Sequence, residues 1–497
     1  VISVQTGLDG YRLKNFYLTN MFQGFVWMIF HFSVIYFFTF LLGNVALVGI
    51  FLGFAHLIAF FLDIPLGIIQ RYIPTKRMFI IGAISQLIAV GIFLAFIFKV
   101  FSLIQIVGGV ITPESLKSSS DWFFGNGLNW IGVLIASICY GLTKEINDVA
   151  TYGYILSHAN PSEYGTILSR NNITFGIGSI TGLVSSGILL NLNHVFSILI
   201  LAGIIIGFLA FIIRFFDNTS DSISLQDIQD FKVSIQRFNT ENVKEYLVET
   251  IKKTDLEKII KEAKYIIMKP KQQTGEDIPW KKIYESSKNE FIVIWKIFSY
   301  KPLYTNLLWT ISLVLVFGFW DTFASSFLLD FLNDIKYGWS YILLAIIGIP
   351  GIVLQEYTHK LGERIGIKTV GMIGLGLSGI SLLIMGLLAA TGVDNPVWIV
   401  GIALINSIGY ACGMATGQNQ FLDTYNRIYA KHSHLTEIDA NASSGPMKIV
   451  QNFANVIGLV FGGILISLGF PLFFFIFGTT ILVILAWTIL NKEKVVL

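Results

Sequence analysis

The chain has 497 residues, 54% of them hydrophobic and only 13% charged, with a formal net charge of +3 and a mean hydropathy of +0.69. Soluble globular proteins carry about 25% charged residues, so this composition excludes an ordinary soluble domain and points to an integral membrane protein. The small net charge gives no electrostatic ground for nucleic-acid binding. Gly (46) and Phe (42) are abundant, as close helix packing in lipid requires. The two cysteines, Cys139 and Cys412, both fall in apolar segments and cannot build a secreted disulfide framework.

The opening VISVQTGLDGYRLKNF lacks a short apolar core followed by a small-residue cleavage site, and reads as a cytoplasmic lead-in. A lipid-crossing helix needs about 20 mostly apolar residues. Such runs occur near 16–41, 44–70, 77–100, 127–155, 168–191, 194–216, 303–331, 340–359, 368–391, 397–425, 447–468 and 471–491, which predicts twelve spans. Between spans 3 and 4, residues 101–126 carry TPESLKSSSDWFFGNG and read as a loop on the outer face. Between spans 6 and 7 the chain turns polar and charge-dense. There LQDIQDFKVSIQRF and DLEKIIKEAKYIIM place apolar residues at helical spacing, predicting amphipathic helices on the membrane surface. Three parts follow: a six-helix bundle at 1–216, a cytoplasmic linker with amphipathic helices at 217–300, and a second six-helix bundle at 301–497.

An even number of spans puts both termini on one side. Lys and Arg crowd into the termini and the even-to-odd loops, whereas the opposite loops hold Lys99, Lys117 and Lys336, and Lys144 sits within a span. Basic residues favour the cytoplasmic side, so both termini are expected there. The two halves also repeat. SICY at 137–140 returns as SIGY at 407–410, GLVSSGIL at 182–189 as GLVFGGIL at 458–465, and IPLG at 64–67 in part as IPG at 349–351. Repeats six spans apart share an orientation, so the halves are parallel copies. Substrate sites in such folds lie near the midplane between the halves.

With these features the chain resembles the major facilitator superfamily. The family's signature, roughly G-x-x-x-D-R-x-G-R-R after span 2, is met by GIIQRYIPTKR at 67–77: Gly67, Lys76 and Arg77 fit, Arg71 stands at the Asp position, and Pro74 replaces the second Gly. Asp63, one turn before Gly67, is a substitute acidic partner. After span 8, ERIGIK at 363–368 keeps the pattern through Glu363, Arg364, Gly366 and Lys368. The resemblance implies an all-α fold of twelve transmembrane helices in two parallel six-helix repeats, and a cytoplasmic gate at these residues. It also implies a central cavity lined by spans 1, 4, 7 and 10.

A charge at the bilayer centre costs about 2.5–3.5 kcal/mol on insertion scales, so polar residues inside spans are informative. Span 4 carries Ser137, Tyr140, Lys144, Asp148 and Thr151 on one face, with Glu145 beside them. Lys144 and Asp148 are spaced to pair along the helix. Span 1 has Asn20, Gln23, Trp27 and His31 in a stripe, span 7 has Thr310, Asp321 and Ser325, and span 10 has Asn406, Tyr410, Gln418 and Asn419. The repeat offset sets Gln418 at the position equivalent to Asp148. Two readings stand for span 4: cavity chemistry, or a stabilising ion pair at the cavity mouth. His31 reads equally as a structural or a titrating histidine. Gln451, Asn452 and Asn455 read as helix–helix hydrogen bonds, the pairs Gly178/Gly182 and Gly458/Gly462 as close-packing points, and Trp130, Tyr341 and Trp398 as membrane-interface anchors.

These residues predict a secondary active transporter moving a small-molecule solute by alternating access, coupled to protons. Glu145, Asp148 and Asp321 are the candidate carriers and His31 a relay. Lys144 pairs with a carboxylate or receives an anionic substrate. Gln23, Tyr140, Gln418 and Asn419 complete the expected solute site. A gradient-independent facilitator, a multidrug-type efflux pump, a lipid scramblase and a non-transporting membrane receptor are the alternatives. HExxH, GxSxG and phosphate-loop patterns do not occur, so an enzyme is not expected. Nor is a cofactor, a metal or a nucleic-acid partner. The expected setting is the lipid bilayer of a bacterial plasma membrane, with the chain a monomer.

Overall fold

Lipid offers no partners for backbone N–H and C=O groups, so each apolar run must satisfy its own backbone, which only a helix does. The computed structural model describes residues 10–42, 44–69, 73, 75–106, 113–158, 164–192, 200, 203–209, 211–212, 280–332, 337–393, 395–433 and 440–490. Among these residues the fold is all-α. The first half contains α1 (Gly10–Tyr36), continued by a π-helical turn (Phe37–Leu41), α2 (Val45–Ile69), α3 (Thr75–Ile106), α4 (Pro113–Gly125), α5 (Gly127–His158) and α6 (Tyr164–Leu192). Helix α7 (Trp280–Phe298) precedes the second half. That half comprises α8 (Lys301–Thr322), α9 (Ala324–Phe331), α10 (Tyr337–Ile365), α11 (Ile367–Thr391), α12 (Pro396–Ser433), α13 (Ala440–Leu468) and α14 (Phe470–Leu490).

Among the described residues nine helices are long and apolar enough to cross a membrane, and α4 with α5, bent by 84°, makes a tenth span. Helix α10 adds the shorter apolar stretch Trp339–Leu354, and the expected sixth span at 194–216 is described only in part. The two amphipathic segments predicted at 225–238 and 255–268, like Arg71, lie outside the described residues. Residues 101–126 differ from expectation. Instead of a loop, α3 continues to Ile106 and α4 forms a separate helix, because Phe123 packs against Phe37, Phe38 and Phe96 and gives the segment an apolar anchor. Tyr341 also departs from its reading as an interface anchor. It is fully buried and its hydroxyl donates to the Phe32 carbonyl of α1 at 3.0 Å.

The internal repeat has a packing counterpart. A Cβ on Gly178 or Gly182 of α6 would strike the carbonyls of Met21 or Phe25 on α1, so these glycines let two backbones meet. The matching pair in α13, Gly458 and Gly462, faces Leu315 of α8 and Phe323 at the α8–α9 break. Helix α2 packs on α5 as α10 packs on α12, and α3 on α5 as α11 on α12. The two most extensive contacts between the halves are α2 with α13 and α6 with α10, and α5 also meets α13. We call the end of the bundle where α1 begins the base, and the opposite end the crown. Helix α2 ends at the base, and α8 and α13 begin there. At the base Ile64 of α2, Phe421 and Tyr425 of α12, and Met447 and Val450 of α13 form a second apolar cluster with Ile294 and Ile297 of α7.

Candidate functional site

One stripe of α5 organises the polar interior. Tyr140, Lys144 and Asp148 follow at intervals of four residues, so they climb a single face from the crown side toward the base. Tyr140 meets the crown-side contact between the halves, and Lys144 and Asp148 meet the base-side contact.

At the base side, Lys448 of α13 forms an ion pair with Asp148, Nζ to Oδ2 at 2.6 Å, the two side chains being 18% and 29% exposed. The pairing expected between Lys144 and Asp148 is thus replaced by one between the two halves, because the facing helix brings the Lys448 ammonium onto Asp148 while Lys144 turns to another partner. Lys144 instead donates to Asn452 Oδ1 of α13 at 2.8 Å. The Asn452 amide nitrogen donates in turn to Asp63 Oδ2 at 3.1 Å and to Glu145 Oε2 at 3.2 Å. One asparagine therefore spans two carboxylates and an ammonium of the other half. Asp63 and Glu145 are both buried, and their second oxygens, Oδ1 and Oε1, have no hydrogen-bond partner among the described residues.

His56 of α2 completes this cluster with a choice of partners. Its Nδ1 lies 3.1 Å from Asn452 Oδ1, 3.2 Å from Lys144 Nζ and 3.4 Å from Asn455 Nδ2. As a donor it serves the asparagine oxygen, whereas as an acceptor it serves the lysine or Asn455. A ring nitrogen plays one role at a time, so two hydrogen-bond arrangements compete within the same packing.

At the crown side, His31 of α1 joins the halves. Its Nδ1 bonds the Tyr140 hydroxyl, while Nε2 lies 2.9 Å from the Asp321 carbonyl oxygen and 3.3 Å from its carboxylate Oδ2. The Trp27 ring packs on Tyr140 with centroids 4.4 Å apart. Gln23 is buried one turn below Trp27, and its Oε1 has no partner among the described residues. The α1–α10 bond from Tyr341 to Phe32 reinforces this closure.

Other expected residues have different neighbours. Thr151 donates to Asn20 Oδ1 at 3.1 Å, and Asn20 bonds Asn171 of α6, a contact within the first half. Asn406 donates to the Ser378 carbonyl at 3.0 Å and the Ser381 hydroxyl at 2.8 Å, and accepts from Trp320 at 2.6 Å; it knits α8, α11 and α12 together. Tyr410 stacks on Phe317 of α8. Gln418 and Asn419 lie on α12, with side chains outside the described residues, as is that of Glu363 on α10.

Of the expected gate residues, Asp63 joins the base cluster. Gly67 lies in the last turn of α2, facing open space. Lys76 and Arg77 open α3, the latter buried. Arg364 and Lys368 are exposed on either side of Gly366, whose φ of +94° makes the α10–α11 turn; a side chain there would be strained. Sequence reasoning missed His56 and Lys448. Both carried a signal: His56 lies seven residues before Asp63, on the same face of α2, and Lys448 lies four before Asn452.

Two similar bundles of long apolar helices, joined through buried charges, define a multi-pass membrane protein of parallel repeats. The chain belongs to the Major Facilitator Superfamily, whose model matches residues 16–432. Solved structures with a similar fold include the nucleoside transporter NupG, at 15% identity over 96% of this chain and 98% of that one, with a TM-score of 0.59. A POT family transporter in complex with a thioalcohol-conjugated peptide is 11% identical over 98% and 96% of the two chains, with a TM-score of 0.62. The E. coli xylose transporter XylE, in a partially occluded inward-open conformation, is 13% identical over 97% and 100%, with a TM-score of 0.57. A sequence search of curated proteins finds no match. The chain is an MFS transporter, and these likenesses establish its fold rather than its solute.

Proposed function

We propose that the chain is a secondary active transporter that moves a small solute by alternating access and couples the movement to protons. In this reading it acts as a monomer in a bacterial plasma membrane, with 1–216 and 301–497 as moving halves, 217–300 as linker and both termini in the cytoplasm, so that the base is the cytoplasmic end. One observation carries the reading. The α5 stripe holds a partner of each closure between the halves, Tyr140 for the crown through His31 and Asp321, and Lys144 and Asp148 for the base through Asn452 and Lys448. A rocking motion that breaks one contact leaves the other intact, which is the requirement of alternating access.

Charge balance supports proton coupling. Among the described residues of the base cluster, Lys144 and Lys448 face Asp63, Glu145 and Asp148, with His56 beside them. Two cations against three carboxylates leave one negative charge inside the bundle, and a single proton neutralises it. A proton on Asp148 weakens its hold on Lys448 and frees the base to part. The solute sits between the closures, against Gln23, Trp27, Tyr140 and Asp321, and Lys144 is one turn below Tyr140.

The test is uptake into proteoliposomes of the purified chain, screened with nucleosides, sugars and short peptides, the solute classes of the related transporters. An imposed proton gradient should drive accumulation. Glu145→Gln and Asp148→Asn should each abolish that drive while leaving solute counterflow measurable. Accumulation indifferent to the gradient would make the chain a facilitator, and gradient-driven uptake surviving both substitutions would remove these carboxylates from coupling.

A further inference from the structure

Helix α7 has two faces of different character. Ile294 and Ile297 point inward to the apolar cluster shared by α2, α8, α12 and α13, and Phe291 meets Phe60 of α2 edge-on. The opposite stripe, Tyr284, Lys288, Phe291, Ile292 and Trp295, is exposed. Phe291, Ile292, Trp295 and Lys296 line an open cleft of about 430 Å³. The helix sequence WKKIYESSKNEFIVIWKIF contains four lysines and two glutamates. It joins the membrane-spanning α8 through only Ser299 and Tyr300, which holds it where the bilayer ends. Beside the cleft, exposed Phe61 of α2 and Phe453 of α13 continue the apolar surface, with Phe60 touching both Phe291 and Phe453.

An apolar cleft on a basic helix at the edge of a membrane matches one ligand in both chemistry and position. We propose that α7 binds an anionic phospholipid of the leaflet at the base, with an acyl chain against Phe291, Ile292 and Trp295 and the phosphate at Lys296, which lines the cleft. Lys288, about two turns away on the same helix, adds to the basic field. Aromatic rings favour the headgroup boundary and lysines attract anionic headgroups there. A lipid held here loads the one described linker helix whose inner face touches both halves, next to the base cluster. The site does not depend on what the transporter carries or on proton coupling.

The test uses the full chain in phosphatidylcholine vesicles containing a minority of either acyl-brominated phosphatidylglycerol or acyl-brominated phosphatidylcholine. Tryptophan quenching is read as the difference from the Trp295→Phe variant. Trp295 should be quenched preferentially by the anionic lipid, with an apparent affinity advantage of about fivefold per contacting lysine. Lys288→Gln/Lys296→Gln should remove the preference, and Lys288→Arg/Lys296→Arg should keep it. Equal quenching of the wild-type chain by both lipids would overturn the anionic site, and no quenching by either would place the stripe away from lipid.

Discussion

Replacing Lys448 by Met keeps most of the length of the side chain in α13 and deletes the charge that holds Asp148. Removing one partner of a fully buried pair costs about 3–5 kcal/mol, whereas an exposed pair contributes about 0–1 kcal/mol. With the two side chains 18% and 29% exposed, the loss should fall between these limits, at about 2 kcal/mol, or about 30-fold in the balance between base-closed and base-open forms. The assay begins with Cys139→Ala/Cys412→Ala, then adds Ile64→Cys as a reporter. Ile64 is buried at the base between α2 and α13, so a membrane-impermeant maleimide reaches position 64 only when the halves part there. Lys448→Met should accelerate labelling by about tenfold or more, and the exchange Asp148→Lys/Lys448→Asp should return it toward the parent rate. Labelling that is unchanged in Lys448→Met would refute the argument that this ion pair closes the base.

Asn452→Leu should be far more damaging than Asn455→Leu. The first strands Asp63, Glu145 and Lys144 together, about 3 kcal/mol or more for bonds to charged groups, while the second loses a 3.4 Å contact to His56; melting of the purified proteins compares them. Gly178→Leu should cut the yield of folded protein, because its side chain would enter the α1 backbone, with overpacking worth about 1–3 kcal/mol. Gly401→Ala meets nothing within 4 Å and should be neutral or raise the melting temperature slightly; equal losses in the two would refute the close-approach argument. Asp321→Asn keeps the bond between His31 and the residue 321 carbonyl but deletes the carboxylate contact. It should therefore preserve folding and alter the pH dependence of uptake, and an unaltered profile would make His31 a structural histidine.

The span pattern and the parallel repeat were legible in the chain because both are local. Lipid demands about 20 apolar residues per crossing whatever the neighbours, and a conserved glycine spacing within one chain marks equivalent packing, as Gly178/Gly182 and Gly458/Gly462 show. The α5 stripe was legible for the same reason, since helical periodicity puts Tyr140, Lys144 and Asp148 on one face without reference to any other helix. The 101–126 segment was not, because α4 is anchored by aromatic contacts to the π-helical turn after α1 and to α3 that no local pattern records.

Partner choice belongs to the tertiary structure. Along its own helix Asp148 had Lys144 within reach, yet it pairs with Lys448, three hundred residues on, and Asn452 makes the helix-to-helix bonds expected of it but makes them to three charged groups. An ionised group in a low-dielectric interior goes to whichever opposite charge the packing brings nearest. Sequence by itself determined which faces are polar, and only the assembly of the two halves decided which of those faces meet.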